Sequence, residues 1–159
     1  MPADSYLSLL ARKQIESIVR KIRSNSSLTP LDIVDLSDKD LELVYSMGYT
    51  FYAVGQYEKA KSLFLKLIFS QPFHPAYWKA LGCTCQMLDQ TADGVVYFSV
   101  ALLMDPNDPL LHLYTAKALM DLKRYDEAKG ALLKAEELSP KDDLDFQTQI
   151  EVLYERCKD

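Results

Sequence analysis

Glycine is scarce, five in 159 residues, too few for the glycine-rich phosphate loops and tight hairpins on which many nucleotide-binding and all-β proteins depend. A helical chain is expected. Cysteine is scarcer: Cys83, Cys85 and Cys157 form an odd set without framework spacing, which argues against a disulfide scaffold and fits a reducing compartment. Cys83 and Cys85 are two residues apart, so on a helix they point about 200° from each other. Only two histidines, His74 and His112, exist to complete a metal site, and no acid, base and nucleophile gather around either. Neither a metal, nor a cofactor, nor catalysis is expected. Long apolar runs are also missing. The longest, Gly94 to Met104, is too short to span a bilayer, and Asp4 and Arg12 interrupt what would be a weak signal-peptide start. A cytoplasmic protein that does not enter the membrane is expected.

The net charge of -5 is unevenly spread. Residues 1–30 hold five Lys/Arg against two Asp/Glu, a balance of +3, which leaves -8 over residues 31–159. That acidity disfavours a nucleic-acid partner for the main body. Arg12, Lys13, Arg20, Lys21 and Arg23 fit the solvated face of an amphipathic helix.

A 34-residue period dominates what is present. Pro72, Pro106 and Pro140 mark it. Small residues recur at Gly48, Gly82 and Ala116 and again at Ala60, Gly94 and Ala128, while Phe51, Cys85 and Leu119 are apolar and Phe64, Phe98 and Leu132 bulky. Gly55-Gln-Tyr57-Glu-Lys-Ala60 is echoed by Lys123-Arg-Tyr125-Asp-Glu-Ala128, and Trp78-Lys-Ala-Leu81-Gly82 resembles the tetratricopeptide signature. The physical reading is a pair of antiparallel helices per period. Small residues stand where two backbones approach, bulky ones fill between helices, and each proline marks the boundary before the next helix. One such pair cannot bury its apolar face alone, so pairs must stack.

The expected fold is all-α: a solenoid of three helix-turn-helix repeats with an N-terminal helical segment and a C-terminal capping helix. Residues 1–40 form the N-terminal helix and linker. The repeats are 41–74, 75–108 and 109–142, and residues 143–159 form the cap. Ser37 ahead of Asp38 and Asp40 reads as a helix N-cap with acids in the first turn. Phe146, Ile150, Val152, Leu153 and Tyr154 recur at helical spacing in the cap. Leu7, Ala11, Ile15, Ile18 and Ile22 form an apolar stripe on the first helix, which either pairs two copies in a homodimer or packs on the first repeat. Residues 24–36, with Ser24, Asn25, Ser26, Ser27 and Pro30, read as the link.

In tetratricopeptide arrays the second, fifth, ninth and twelfth positions of each repeat face the concave side. Here they are Glu42, Tyr45, Tyr49 and Tyr52, then Ala76, Lys79, Cys83 and Gln86, then Leu110, Leu113, Lys117 and Met120. Tyr45, Tyr49 and Tyr52 form an aromatic stripe that the core does not require, because Val44, Met47, Gly48 and Phe51 already serve that helix's inner side. Tyrosine offers a rigid apolar face and a hydroxyl, which suits proline and leucine side chains. Lys79, Gln86 and Lys117 are candidates to hydrogen-bond the carbonyls of an extended peptide.

The stretch Leu41-Glu-Leu-Val-Tyr45-Ser-Met-Gly-Tyr49-Thr-Phe-Tyr52-Ala-Val-Gly55-Gln-Tyr57-Glu-Lys-Ala60, with three repeats behind an N-terminal helix, resembles the class II type III secretion chaperones, which serve hydrophobic translocators. The resemblance implies a bacterial, cytoplasmic, often dimeric, ATP-independent chaperone. Its groove would hold Pro/Leu-containing extended segments of secreted translocators through Tyr45, Tyr49, Tyr52, Lys79, Cys83, Gln86, Leu113, Lys117 and Met120. A general tetratricopeptide adaptor or scaffold is the competing reading. One form of it, the capture of acidic C-termini, would want Lys and Asn where Tyr45 and Tyr49 stand.

Overall fold

The computed structural model describes residues 7–26 and 36–158, and every regular element among them is an α-helix. In chain order these are α1 (Leu9–Ser24), α2 (Asp38–Ala53), α3 (Tyr57–Ser70), α4 (Pro75–Met87), α5 (Thr91–Met104), α6 (Pro109–Asp121), α7 (Tyr125–Leu138) and α8 (Leu144–Arg156). Helices α2 and α3, α4 and α5, and α6 and α7 pack as pairs, and successive pairs join through α3 on α4 and α5 on α6. The 34-residue period is thus a period in space. Most of the segment read as the link, residues 27–35, lies outside the described residues.

The helix starts follow from local chemistry. At α2, the Ser37 hydroxyl accepts from the Asp40 amide (3.3 Å) and the Asp40 carboxylate accepts from the Ser37 amide (3.0 Å), a reciprocal capping box. Asp108 and Asp143 cap α6 and α8 in the same sense, accepting from Leu111 (3.1 Å) and Phe146 (3.0 Å). Pro75 and Pro109 open α4 and α6 in the first turn, where a missing N–H is harmless.

Each pair turns in the same way. Gly55, Asp89 and Lys123, 34 residues apart, all adopt left-handed backbone with φ of 77°, 58° and 59°. The next amide, of Gln56, Gln90 or Arg124, donates to the carbonyl five residues back at 2.8 Å each time. This closes the helix end and reverses the chain. Only the first repeat uses the glycine that such a conformation favours.

The paired small and bulky positions explain themselves in the core. A Cβ on Gly48 would lie 2.5 Å from Phe64 Cε1, and one on Gly82 would lie 2.5 Å from Phe98 Cε1. The third repeat holds Ala116 with Leu132 at these positions, both fully buried, so the smaller partner accompanies the one added carbon. Trp78 is completely buried, and its indole N–H donates to the Pro72 carbonyl at 2.7 Å. His112, one period later, occupies the equivalent seat: its Nε2–H donates to the Pro106 carbonyl at 2.8 Å.

The apolar stripe of α1, left by the sequence between pairing copies and packing on the first repeat, packs on the first repeat. Ile15 is fully buried, Leu7, Ala11, Ile18 and Ile22 are half-buried, and α1 lies on α3. The Arg12 guanidinium lies 5.4 Å from the Phe73 ring centre and that of Arg23 lies 5.8 Å from the Phe69 ring centre. These two arginines therefore do more than solvate a face. Two smaller expectations need correction. Met47, assigned to the core of α2, is 43% exposed, and Val152, assigned to the cap's apolar side, is 54% exposed while Phe146, Ile150 and Leu153 are buried.

Candidate concave peptide groove

The first helices of the pairs, α2, α4 and α6, and then α8, are tied in sequence by side chains. Tyr45 meets Tyr77 with ring centres 5.4 Å apart, Lys79 reaches Asp108 at 2.6 Å, and Lys117 donates to Gln149 at 3.3 Å. These links mark one continuous inner layer, crossed by a cavity of about 400 Å³ lined by Tyr52, Cys83, Gln86, Met87, Tyr114, Lys117, Met120, Asp121 and Arg156. Such a volume is in the range of pockets that take small ligands or a few side chains. A second hollow of about 240 Å³ adjoins it through Lys117 and is walled by Thr148, Gln149, Val152 and Leu153 of α8.

Five of the residues read from the sequence, Tyr52, Cys83, Gln86, Lys117 and Met120, meet in the cavity of about 400 Å³. Tyr45 and Tyr49 stand beside it as a ledge. Their rings meet edge to face at 4.9 Å, and the Tyr45 hydroxyl donates to that of Tyr49 at 3.4 Å. Both rings lean on Phe64, the bulky residue over Gly48, with centres 6.1 and 5.6 Å away. Tyr49 remains 43% exposed, so the pair is braced from below and open above. Its phenol is held well above the ordinary range by burial of the hydroxyl, then by the bond to Tyr45, with Cys83 and Tyr114 close enough to add to the effect. Tyr49 is therefore neutral at any physiological pH.

Two assignments change. Leu113, expected to face the groove, is completely buried in the core. Its register matches Tyr45 and Lys79, but a leucine has no polar end to keep in water and turns fully inward. Lys79 is not a free donor, since its ammonium is paired with Asp108. Burial disfavours the charge on both partners, yet their mutual hydrogen bond overrides it, holding the lysine above and the carboxyl below their usual ranges. The Asp108 Oδ1 also accepts from the amides of Leu110 and Leu111, so this ion pair locks α4 to the start of α6. Cys83, between Lys79 and Lys117, has its thiol pushed up to about 11 by burial, which the two lysines only partly offset. It is a neutral wall residue.

Tyr114, Met87, Asp121, Arg156 and Val152 were missed by the period. Tyr114 supplies the third repeat's aromatic surface from the position after Leu113, its ring 6.2 Å from Phe98. Its signal was a tyrosine beside a leucine at an inward register, which the repeat alignment alone cannot arbitrate. Arg156 and Val152 come from α8, which has no counterpart among the three repeats. No helix among the described residues is long and apolar enough to cross a membrane.

Comparison with known proteins agrees with this geometry. Tetratricopeptide repeat family models match residues 41–66, 75–108 and 116–142, more than half of the chain. The low calcium response locus protein H of Yersinia pestis is 27% identical over 104 residues, 65% of this chain and 62% of that protein's length. The chain thus spans somewhat under two thirds of that relative. Among solved structures, the Yersinia enterocolitica type III secretion chaperone SycD, in complex with a peptide of the translocator YopD, is similar in fold, with a TM-score of 0.74 and 24% identity over 79% of this chain and 97% of that one. PcrH of Pseudomonas aeruginosa, in complex with the chaperone binding region of PopD, has a TM-score of 0.72 and 23% identity over 77% of this chain and 94% of that one.

Proposed function

The chain belongs to the tetratricopeptide-repeat family, and from that premise we propose that it is a bacterial cytoplasmic chaperone of hydrophobic type III secretion translocators. It holds an extended, Pro/Leu-containing segment of the client along its concave face before export. Binding, not catalysis, is the activity. The observation that carries this reading is the braced tyrosine ledge of Tyr45 and Tyr49 continuing into the cavity between Tyr52 and Tyr114. SycD, similar in fold, is found with a peptide of the translocator YopD, and PcrH with the chaperone binding region of PopD.

The mechanism follows from ordinary surface chemistry. A segment destined to enter a membrane is apolar and aggregates in water, and covering its proline and leucine side chains on aromatic rings removes that surface. A few anchors at about 1.5–3 kcal/mol each, against association costs of about 4 kcal/mol or more, leave a modest net affinity. Such a complex forms without ATP and can dissociate at the secretion apparatus. Cys83, Gln86, Lys117 and Met120 line the client's path, and the exposed end of α1, where Leu9 and Leu10 are 69% and 68% exposed, offers a surface through which two copies pair.

Overlapping peptides spanning a candidate translocator, measured for binding to the purified chain, test the reading. Selective binding of internal Pro/Leu-containing segments is expected. Preference for free acidic C-terminal peptides would instead place the chain among general adaptors.

A further inference from the structure

The inner layer carries an excess of opposite charge at its two ends, two carboxylates at the first and two bases against one acid at the second, and we infer that this polarity orients the client: a basic flank of the extended segment lies over α2 and an acidic flank lies over α8. The inference rests on the groove reading above and adds the chemistry of the residues that border the apolar anchors.

At the first end, Asp38 and Glu42 precede Tyr45 and Tyr49 at steps of 4, 3 and 4, which puts all four on one face of α2. The neighbourhood of Tyr77, the ring that meets Tyr45, includes both carboxylates. Among the described residues no base lies within 4.0 Å of either acid, and Lys39, next in the chain, projects about 100° further round the helix. At the other end, Lys117 and Arg156 stand on the cavity wall. Lys117 bonds only the neutral Gln149, and no carboxylate among the described residues lies within 4.0 Å of Lys117 or Arg156, Asp121 being the one acid on that wall. Between the two ends, Lys79 and Asp108 neutralise each other.

The separation makes the ends independent. Four helices at the usual spacing of about 9–10 Å span roughly 28 Å, about three Debye lengths at physiological salt. An extended segment covers that span in about eight or nine residues. The middle of such a segment lies on the tyrosines and in the cavity, and its termini meet the two charged rims. Because the whole chain is acidic, attraction for an acidic flank at α8 is local and not a property of net charge.

Three end-blocked ten-residue peptides with the same Pro/Leu centre test this by fluorescence anisotropy on the full chain. One carries two lysines before the centre and two aspartates after it, one the reverse, and one carries serines at both ends. At 50 mM salt one charged order is expected to bind about fivefold tighter than the other, the size that a few exposed ion pairs produce, and the gap closes at 500 mM. The four-fold variant D38K/E42K/K117E/R156E, checked for unchanged helicity by circular dichroism, is expected to invert the preferred order. Equal binding of both charged orders and of the serine peptide would overturn the polarity and leave the groove reading standing. Failure of all three peptides would overturn the groove reading, and the inference with it.

Discussion

Helices α2 and α6 hold equivalent places two repeats apart, yet α2 buries only Leu41 and Gly48 while α6 buries seven residues from Leu111 to Met120. The cause is company. Helix α6 is flanked by α5, α7 and α4 and reaches α8 through Lys117, whereas α2 leans chiefly on α3. Burial costs a surface its availability, so one end of the groove is a scaffold and the other is a ledge. Substitutions in α6 should therefore read out as stability, and substitutions on the exposed face of α2 as binding.

Leu113→Ala would sharpen this contrast most. A completely buried leucine truncated to alanine costs about 2–5 kcal/mol, so urea unfolding should shift its midpoint strongly, whereas Tyr49→Ala, 43% exposed, should cost well under half as much. If Leu113→Ala left stability unchanged and removed only client binding, the division between scaffold and ledge would break.

Cys83 lies between the two regions, and its chemistry reports how closed the wall is. With its thiol near 11, the thiolate fraction at pH 8 is about one in a thousand, so labelling by a disulfide reagent should run about a hundredfold slower than for an ordinary thiol. The same burial raises Cys85 to about 12. A thiol raised in the folded state contributes stability that is fully present below the unfolded thiol's ordinary range. That contribution is lost as pH rises from there through about 11 to 12. Thermal midpoints should accordingly fall between pH 8.5 and 11, and by less in the Cys83→Ala/Cys85→Ala double variant.

Gly82→Ala comes next. The added Cβ would press on Phe98 at 2.5 Å and is expected to cost about 1–3 kcal/mol, and adding Phe98→Leu should recover part of it, because the third repeat already pairs Ala116 with Leu132. A double variant no more stable than the single one would show that the small and bulky positions are not coupled. The smallest effect is a gain: Lys123→Gly relieves left-handed backbone and should add up to about 1 kcal/mol, measured by the same unfolding curves.

Much of this was legible in one chain. The period of prolines and small residues placed six helices, because backbone approach and helix boundaries are local demands that recur wherever the same packing recurs. Tyr45, Tyr49 and Tyr52 stood out for the complementary reason, as an aromatic stripe on one face of α2, although Tyr45 and Tyr52 also pack partly against the core. What escaped depended on packing that the period does not encode. Leu113 turns inward where Lys79 reaches outward, and Tyr114 takes over the aromatic role one residue later. Lys79 finds Asp108 29 residues away, a pairing set by helix stacking. Arg156 and Val152 belong to a helix with no earlier copy in the sequence, so alignment offered no register for them.

The aromatic ledge as the client's seat is tested most directly by the affinity of the Tyr45→Ala/Tyr49→Ala variant for a Pro/Leu-containing translocator segment, with helicity followed by circular dichroism on the same samples. Two lost aromatic contacts of about 1.5 kcal/mol each should weaken binding about a hundredfold while helicity stays unchanged. Undiminished affinity in a variant of intact helicity would contradict the seat on α2.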